Sequence, residues 1–152
     1  MKRPKPPLRV LIVEDEPLLA MDIQMMVEDA GHVVTAEAAS LHDVEELSDT
    51  AAPDVAFVDL QLARNTNGLD VNRLVRQRWP AVIVVFVTAN PKKLPQDFDG
   101  AHGVIAKPFS QNGFLSALQY LQEGVCTPPP VSPQPGSFVA SPHFAATWSQ
   151  HS

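Results

Sequence analysis

The sequence is poor in the residues that define several classes of protein. Its 152 residues include one cysteine, Cys126, which excludes an internal disulfide framework and a cysteine-rich zinc site. No apolar run reaches the roughly 18 residues that a membrane-spanning helix needs. No signal-peptide core follows the charged N-terminus. We therefore expect a soluble protein that resides in the cytoplasm and has no contact with a membrane.

Positive charge is scarce in the centre of the chain, and charge of either sign is absent from its C-terminal end. Residues 10–123 hold 7 of the 11 basic residues and all 17 acidic ones, whereas residues 124–152 hold neither kind. Nonspecific binding to DNA needs clustered cations, so this balance argues against direct contact with nucleic acid. The remaining cations lie in the first nine residues and favour a solubilising arm.

Proline divides the chain into three parts. Of the 15 prolines, three lie within the first nine residues and six lie after Gly124. We predict a flexible basic arm over residues 1–7, one domain over residues 8–123 and an uncharged, proline-rich tail over residues 124–152. A domain of this length can bury a single core.

The tail is the least regular part of the sequence. Thirteen of its 29 residues are Pro, Gly or Ser, which predicts a mostly extended or disordered segment. Three aromatic residues, Phe138, Phe144 and Trp148, leave an alternative open. In that alternative the tail is a short docking segment for this domain or for a partner.

Five apolar runs alternate with five helix-like segments. The runs cover residues 8–13, 33–38, 54–58, 82–87 and 103–106. Strands of this kind that alternate with helices predict a parallel sheet covered on both faces. Helix N-caps are expected at Ser40 and Ser110, and helix ends at Gly31 and Gly124. Two prolines between residues 90 and 100 predict that the fourth helix is abbreviated or absent.

Polar residues follow four of the predicted strands. Glu14 and Asp15 follow the first strand, Asp59 the third, Thr88 the fourth and Lys107 the fifth. Ligands of open parallel sheets bind outside the carboxyl ends of the strands, where the winding direction reverses. In a flavodoxin-like, doubly wound sheet of five strands in the order 2-1-3-4-5, that point lies between strands one and three. We predict this fold, with a site at that point.

The residue types at this point favour phosphoryl chemistry. Converging carboxylates repel each other, by ~1 kcal/mol per pair at 4 Å in water and ~4 kcal/mol at an effective dielectric constant of 20. Mg²⁺ relieves that repulsion, since it prefers carboxylates, water and phosphate oxygens. The Lys107 ammonium and the Thr88 hydroxyl can contact a phosphoryl group, and an Asp carboxylate can attack phosphorus.

Four short motifs, each at a strand end, carry a resemblance to a known family. They are Ile12–Pro17 (IVEDEP), Val58–Leu60 (VDL), Val87–Ala89 (VTA) and Lys107–Phe109 (KPF). Over residues 8–123 the chain resembles the receiver domains of two-component response regulators, the CheY-like family.

The resemblance implies a role for each site residue. Asp59 would be the phosphoacceptor, and Thr88, Ala89 and Lys107 would contact the phosphoryl group. Mg²⁺ or Mn²⁺ would be held by Glu14, Asp15, Asp59 and the main-chain carbonyl of Gln61. Pro108 would follow a cis bond, and Gln61 and Asn90 would tune hydrolysis.

Three features depart from the pattern of the family. Val104 stands where the family has an aromatic switch residue, three positions before the lysine. The second departure is the short fourth helix, which alters the usual output face. The loop after Asp59 also lacks the common proline.

The resemblance implies a stand-alone receiver that takes a phosphoryl group from a sensor histidine kinase or a histidine phosphotransfer protein. It would not be an enzyme beyond its own phosphotransfer and autodephosphorylation. Its output would be contact with an unknown downstream protein, and a homodimer is left open. The alternative is a receiver-fold binding module that works independently of phosphorylation. A Rossmann-like or phosphatase enzyme is disfavoured, because no glycine-rich phosphate loop follows the first strand.

The five histidines show no metal-ligand spacing. His32, His42 and His102 are predicted at the surface, with no assigned role.

Overall fold

A computed structural model describes residues 6–62, 66–126, 128, 130 and 132–148. The strands are β1 (Arg9–Val13), β2 (Val33–Ala38), β3 (Val55–Asp59), β4 (Ile83–Thr88), β5 (Gly103–Ala106) and β6 (Val139–Ala140). The α-helices are α1 (Pro17–Asp29), α2 (Leu41–Glu45), α3 (Gly68–Arg78), α4 (Gln111–Cys126) and α5 (Pro142–Trp148). None of the helices in the described ranges is long and apolar enough to cross a membrane.

One sheet organises the molecule, with the strand order β2-β1-β3-β4-β5-β6. The first five strands are parallel, as the alternation of strands and helices predicted. The expectation of five strands was incomplete, because β6 from the tail pairs antiparallel with β5. Parallel neighbours must be joined by a crossover connection, whereas an antiparallel strand such as β6 can pair with the edge without one.

Both faces of the sheet are buried, which explains why the strands are continuously apolar. Val10 and Ile12 of β1 belong to one hydrophobic cluster, in which α1 and α4 cover the sheet. Leu11 and Val13 belong to the other, in which α2 and α3 cover the opposite face. Side chains alternate across a strand, so a strand between two helical layers needs apolar residues at every position.

The helix ends follow the predicted caps, with one correction. The Ser40 hydroxyl accepts a hydrogen bond from the Asp43 amide, and the Ser110 hydroxyl accepts one from the Gly113 amide, at 3.2 and 2.9 Å. Gly124 was expected just beyond the last helix. Instead, Gly124 is buried within α4, which continues to Cys126. Its lack of a side chain suits a buried position, so a glycine near a helix end was a weak stop signal here.

No α-helix connects β4 to β5 in this fully described segment, which contains only the 3₁₀ turns Pro91–Lys93 and Phe98–Gly100. Side chains of α3 hold the second turn. The Arg73 guanidinium donates hydrogen bonds to both carboxylate oxygens of Asp99, at 2.9 and 3.0 Å. Asn72 and Arg76 donate to the Asp99 carbonyl oxygen, at 2.9 and 3.1 Å. The abbreviated fourth helix is therefore confirmed. Hydrogen bonds from α3 to Asp99 hold the segment that replaces it.

The tail is ordered over most of its described length, so the prediction of an extended or disordered segment was wrong there. Phe138 and Phe144 are buried in the cluster that also contains α1 and α4. The alternative of a segment that docks on this domain is confirmed for these two residues. The side chain of Trp148 and the basic residues Lys2, Arg3 and Lys5 lie outside the described part of the chain. The division at residues 7 and 123 stays a prediction.

Two of the three histidines predicted at the surface are not there. His32 is buried, and its Nδ1 accepts a hydrogen bond from the Leu8 amide at 2.9 Å. His102 is half-buried, and its Nδ1 accepts one from the Val84 amide at 3.0 Å. Each ring satisfies a main-chain donor that the sheet leaves unpaired, a role that no sequence spacing reveals.

Candidate functional site

Three carboxylates meet where the parallel strands end, which we call the carboxyl end of the sheet. Glu14 follows β1 directly, Asp15 comes next, and Asp59 is the last residue of β3. One oxygen from each of the three lies within 4.8 Å of the others. β1 and β3 are neighbours in the sheet, so their register brings two distant parts of the sequence together. Glu14 and Asp59 are buried, whereas Asp15 is exposed to solvent.

Lys107 joins the two buried carboxylates. Its Nζ donates to Glu14 Oε1 at 2.9 Å and to Asp59 Oδ2 at 3.1 Å. The other oxygens accept main-chain amides, Glu14 Oε2 from Glu16 and Asp59 Oδ1 from Gln61, each at 3.1 Å. All four carboxylate oxygens therefore have a donor. Such charge-assisted hydrogen bonds offset part of the cost of burying two anions.

The burial of the pocket shifts two of its ionisation equilibria. Burial raises the pKa of Glu14 to about 7, an effect that the nearby charge of Asp59 adds to and that the hydrogen bonds from Lys107 and Glu16 oppose. Burial lowers the pKa of Lys107, but its hydrogen bonds to Glu14 and Asp59 together outweigh burial and raise that pKa. The ammonium therefore stays charged at neutral pH, held between the carboxylates that it neutralises.

Thr88 lies at the end of β4 and is almost fully buried. Its Oγ1 accepts a hydrogen bond from the Asn90 amide at 3.0 Å and so caps the turn after the strand. A hydroxyl can accept and donate at the same time, so this cap leaves its proton for another acceptor. Ala89 and Asn90 are exposed beside it. No hydrogen bond joins Thr88 to Asp59, and the roles of Thr88, Ala89 and Asn90 stay predictions.

The loop after Asp59 returns against the strand that it leaves. Gln61 is exposed and forms an isolated bridge with Asn67, and the Gly68 amide donates to the Leu60 carbonyl at 2.8 Å. A Cβ on Gly68 would collide with the Asp59 carbonyl oxygen and lie 2.7 Å from Leu60 Cα. The sequence alone did not predict this contact of Gly68. Asn67 caps α3 here, because its Oδ1 accepts a hydrogen bond from the Leu69 amide at 2.8 Å.

Two further predicted positions lie around β5. The Lys107–Pro108 bond is cis, as the resemblance implied. Val104 is buried, and its side chain belongs to the hydrophobic cluster under α2 and α3. A valine here is held in the core, whereas the family pattern expects an aromatic ring that changes position. The role of Val104 as a modified switch position stays a prediction.

A cleft of about 660 Å³ leads from the site along α1. Lys107, Pro108 and Phe109 line one side, and Leu18 and Met25 of α1 line the other. Leu18, Met21 and Met25 are more than half exposed, which is unusual for large apolar side chains in a row on one helix. Asp22 and Glu16 add negative charge to the same cleft.

The side chains at the carboxyl end fit a hard divalent cation. Mg²⁺ prefers oxygen ligands and a small number of carboxylates, completed by water. Glu14, Asp15 and Asp59 supply three such groups within reach of one ion. The exposed Asp15 leaves the group open to solvent, so an ion can enter and keep some of its water.

Comparison with known proteins places these observations in one family. The family model described as "Response regulator receiver domain" matches residues 10–119. Phyllosphere-induced regulator PhyR of Methylorubrum extorquens is 39% identical over 103 residues, 66% of this chain and 38% of that protein. Transcriptional regulatory protein PdtaR of Mycobacterium tuberculosis is 30% identical over 115 residues, 74% of this chain and 56% of that protein.

A solved structure agrees with these relatives. The solution structure of the Erythrobacter litoralis PhyR receiver (REC) domain superposes with a TM-score of 0.66 at 26% identity, and covers 84% of this chain and 95% of that one. The matched region spans only about two fifths to just over half of PhyR and PdtaR, so the activities of those whole proteins do not transfer to it. The match over residues 10–119, the parallel sheet and the acidic carboxyl end agree, and the chain belongs to the response regulator receiver domain family.

Proposed function

We propose that this chain accepts a phosphoryl group on Asp59 from a histidine kinase or a histidine phosphotransfer protein, in a Mg²⁺-dependent step in the cytoplasm. The observation that carries the proposal is the convergence of Glu14, Asp15 and Asp59 with Lys107 bound between two of them. Receiver domains are regulatory phosphoacceptors of two-component systems rather than classical enzymes.

The proposed step uses the carboxylate of Asp59 as a nucleophile. An Asp59 oxygen forms a bond to phosphorus while the phosphorus–nitrogen bond of a phosphohistidine breaks, and the leaving nitrogen keeps the electron pair and takes up a proton. Lys107 already donates to Asp59 and is placed to donate to an oxygen of the arriving phosphoryl group. The Thr88 hydroxyl retains its proton for the same purpose. These groups position the reactants and balance charge, which is most of what phosphoryl transfer requires.

Glu14, Asp15, Asp59 and the main-chain carbonyl of Gln61 would hold Mg²⁺ or Mn²⁺. The bound ion would supply neutralising charge for the phosphoryl oxygens. Asp15 is the exposed member of the group, and we expect its removal to weaken ion binding without a loss of stability.

The phosphodonor would bind at the cleft along α1. Leu18 and Met25 line this cleft with Lys107 and Pro108, and Met21 adds a further exposed apolar side chain on α1. A donor that covers these side chains would exclude water from the carboxyl end while it presents its phosphohistidine. Signalling would then proceed through contacts with a downstream protein.

Incubation of the full chain with a small acyl or amido phosphate and Mg²⁺ tests the proposal, with intact mass as the readout. We expect the mass of one added phosphoryl group in the wild type and none in Asp59→Asn. Asp54→Asn is the matched control, because Asp54 lies just before the same strand and its carboxylate accepts a hydrogen bond from the Arg9 amide at the opposite end of the sheet. Labelling of Asp59→Asn at the wild-type rate would refute the assignment.

A binding module that works independently of phosphorylation is the second candidate, and the buried Val104 favours it. An aliphatic residue packed in the core lacks the ring that couples the site to the surface in the family pattern. Equal affinity for a phosphodonor or downstream protein with and without beryllofluoride and Mg²⁺ would favour this candidate over the first.

A further inference from the structure

The tail reaches the sheet through a connection that is held to α4, where the Ser132 amide and hydroxyl donate to the two carboxylate oxygens of Glu123, each at 2.7 Å. α4 ends at Cys126, and the described residues between it and β6 form no helix or strand. Proline lacks a main-chain donor, which keeps such a connection out of regular structure. The prolines of the connection are Pro128, Pro129, Pro130, Pro133 and Pro135. Residues 137–148, which follow this connection, pack against the edge of the sheet; we call them the cover.

The cover fills a specific socket on the outer side of β5, which we call the β5 edge. Phe138 is almost fully buried there, and its ring lies 5.7 Å from that of Tyr120 on α4. A Cβ on Gly103 would collide with the Phe138 ring, so the ring lies directly over the main chain of β5. An aromatic side chain therefore gains a contact here that any residue other than glycine at position 103 would block.

The pairing between the cover and β5 is short. Gly103 pairs with Ala140 and Val104 with Val139, and the ladder stops there. The Phe138 amide donates to the Pro135 carbonyl at 3.1 Å, a turn that takes the cover away from the sheet. Ile105 and Ala106 thus have no partner on this edge among the described residues. A strand that continued straight would pair with four residues of β5, whereas the cover pairs with two.

Further contacts of the cover are hydrogen bonds and ring contacts, and Gln134 of the connection donates to the Phe138 carbonyl at 3.0 Å. The Ser141 amide donates to the His102 carbonyl at 2.9 Å, and the Ser137 hydroxyl donates to the Gly113 carbonyl at 2.7 Å. Phe144 meets the His102 ring edge-on at 4.9 Å. Recognition at this edge therefore depends on main-chain hydrogen bonds and aromatic rings, which an uncharged extended peptide can supply.

We propose that residues 137–148 are a removable cover, and that the β5 edge beneath them binds an extended, uncharged segment of a partner protein. That segment carries an aromatic residue for the socket over Gly103 and pairs with β5 as far as Ala106. It replaces the cover because it forms a longer ladder on the same strand. The proposal goes beyond phosphoryl transfer and needs neither Mg²⁺ nor Asp59, so its success or failure is independent of the proposed function.

A labelled synthetic peptide with the sequence of residues 136–148 is the probe, and fluorescence anisotropy with the full chain is the measurement. Phe138→Ala loosens the cover, whereas Val139→Ala is the matched control, because the Val139 side chain is half exposed. We expect the peptide to bind Phe138→Ala about tenfold or more tightly than the wild type or Val139→Ala, since the tethered cover no longer competes. A peptide that itself carries Phe138→Ala should lose this binding. Equal affinity for all three chains would overturn the proposal.

Hydrogen exchange in the wild-type chain tests the same idea without a variant. The Ser141 amide is protected only while the cover is in place. We expect it to exchange about 100-fold or more faster than the amides of β4, because the cover opens while the sheet stays folded. Equal exchange rates would mean that the cover leaves only on global unfolding, and would overturn the proposal. Light scattering gives the oligomeric state of the wild-type chain. A dimer in which each copy binds the tail of the other would also overturn the proposal.

Discussion

The carboxyl end of the sheet and its β5 edge are built by opposite means. At the carboxyl end, three carboxylates and one ammonium converge, and two of the anions are buried. At the β5 edge, a segment without a single charged residue binds through two phenylalanine rings and main-chain hydrogen bonds. The first arrangement depends on ionic conditions and on an incoming group. The second is formed by groups of the same chain and needs no incoming ion or phosphoryl group.

Removal of the Lys107 ammonium from the carboxyl end should have the largest effect on phosphorylation. In Lys107→Met, Glu14 and Asp59 lose their shared donor, and a phosphoryl group loses a charged contact. We expect labelling of Asp59 by a small phosphodonor to slow by about 10²- to 10³-fold, the usual cost of one positioned charge or donor at a reacting centre. The measurement is the rate of mass increase under saturating Mg²⁺.

Lys93→Met is the control for that experiment. Lys93 is an exposed lysine on the short turn after β4, and its replacement should leave the rate within about twofold of the wild type. Labelling of Lys107→Met at the rate of Lys93→Met would show that the ammonium is structural rather than functional. The charges at the carboxyl end would then stabilise the fold, as the aromatic contacts do at the β5 edge, and would not assist phosphoryl transfer.

Acid should weaken the β5 edge through His102. Burial, together with the nearby charges of Arg76 and His143, lowers the pKa of His102 from 6.5 to about 4. The unfolded chain therefore binds a proton at higher pH than the folded one. The contribution of His102 to stability is complete above pH 6.5 and is lost as the pH falls towards 4, by at most about 3 kcal/mol.

Urea unfolding of the wild type and His102→Asn between pH 4 and 7 measures this loss. Asn can keep an acceptor for the Val84 amide but does not titrate, so the difference in free energy of unfolding between the two proteins should narrow as the pH falls. His42→Asn, at an exposed position, should follow the wild type. Parallel curves for the wild type and His102→Asn would refute the prediction.

The smallest of the three effects is a change in the free energy of unfolding. It is measured by replacing one glycine in each region with alanine. Gly68→Ala places a methyl group against the main chain of Asp59 and Leu60, and overpacking of this kind costs about 1–3 kcal/mol. Gly136→Ala, in the tail, meets nothing within 4 Å and should change stability by less than about 0.5 kcal/mol. Denaturant unfolding measures both, and equal free energies of unfolding would contradict the predicted contact.

The sequence was sufficient for the parts of the molecule in which local pattern and packing agree. The five parallel strands are continuously apolar because both faces are covered, and polar residues mark where they end. Glu14, Asp15, Asp59 and Lys107 could be identified for that reason. Their convergence also follows from strand order alone, since β1 and β3 are adjacent.

The sequence was insufficient where a residue is held by a distant part of the chain. The tail has the composition of an unstructured segment, yet Phe138 and Phe144 find a surface that the folded domain supplies. His32 and His102 were predicted as surface residues, because nothing nearby in sequence shows that each accepts a main-chain amide. Long-range packing overrides composition in both cases.

Helix α3 touches both regions with its two ends. Gly68 at its start rests directly on the main chain of Asp59, and Arg76 near its finish holds the Asp99 carbonyl in the turn that leads to His102 and the tail. Between them lie about two turns of helix with no proline to bend it. A displacement of the Asp59 main chain would therefore be transmitted along a rigid helix to the turn at Asp99. The direct contact between Gly68 and Asp59 means that α3 would move with this part of the main chain.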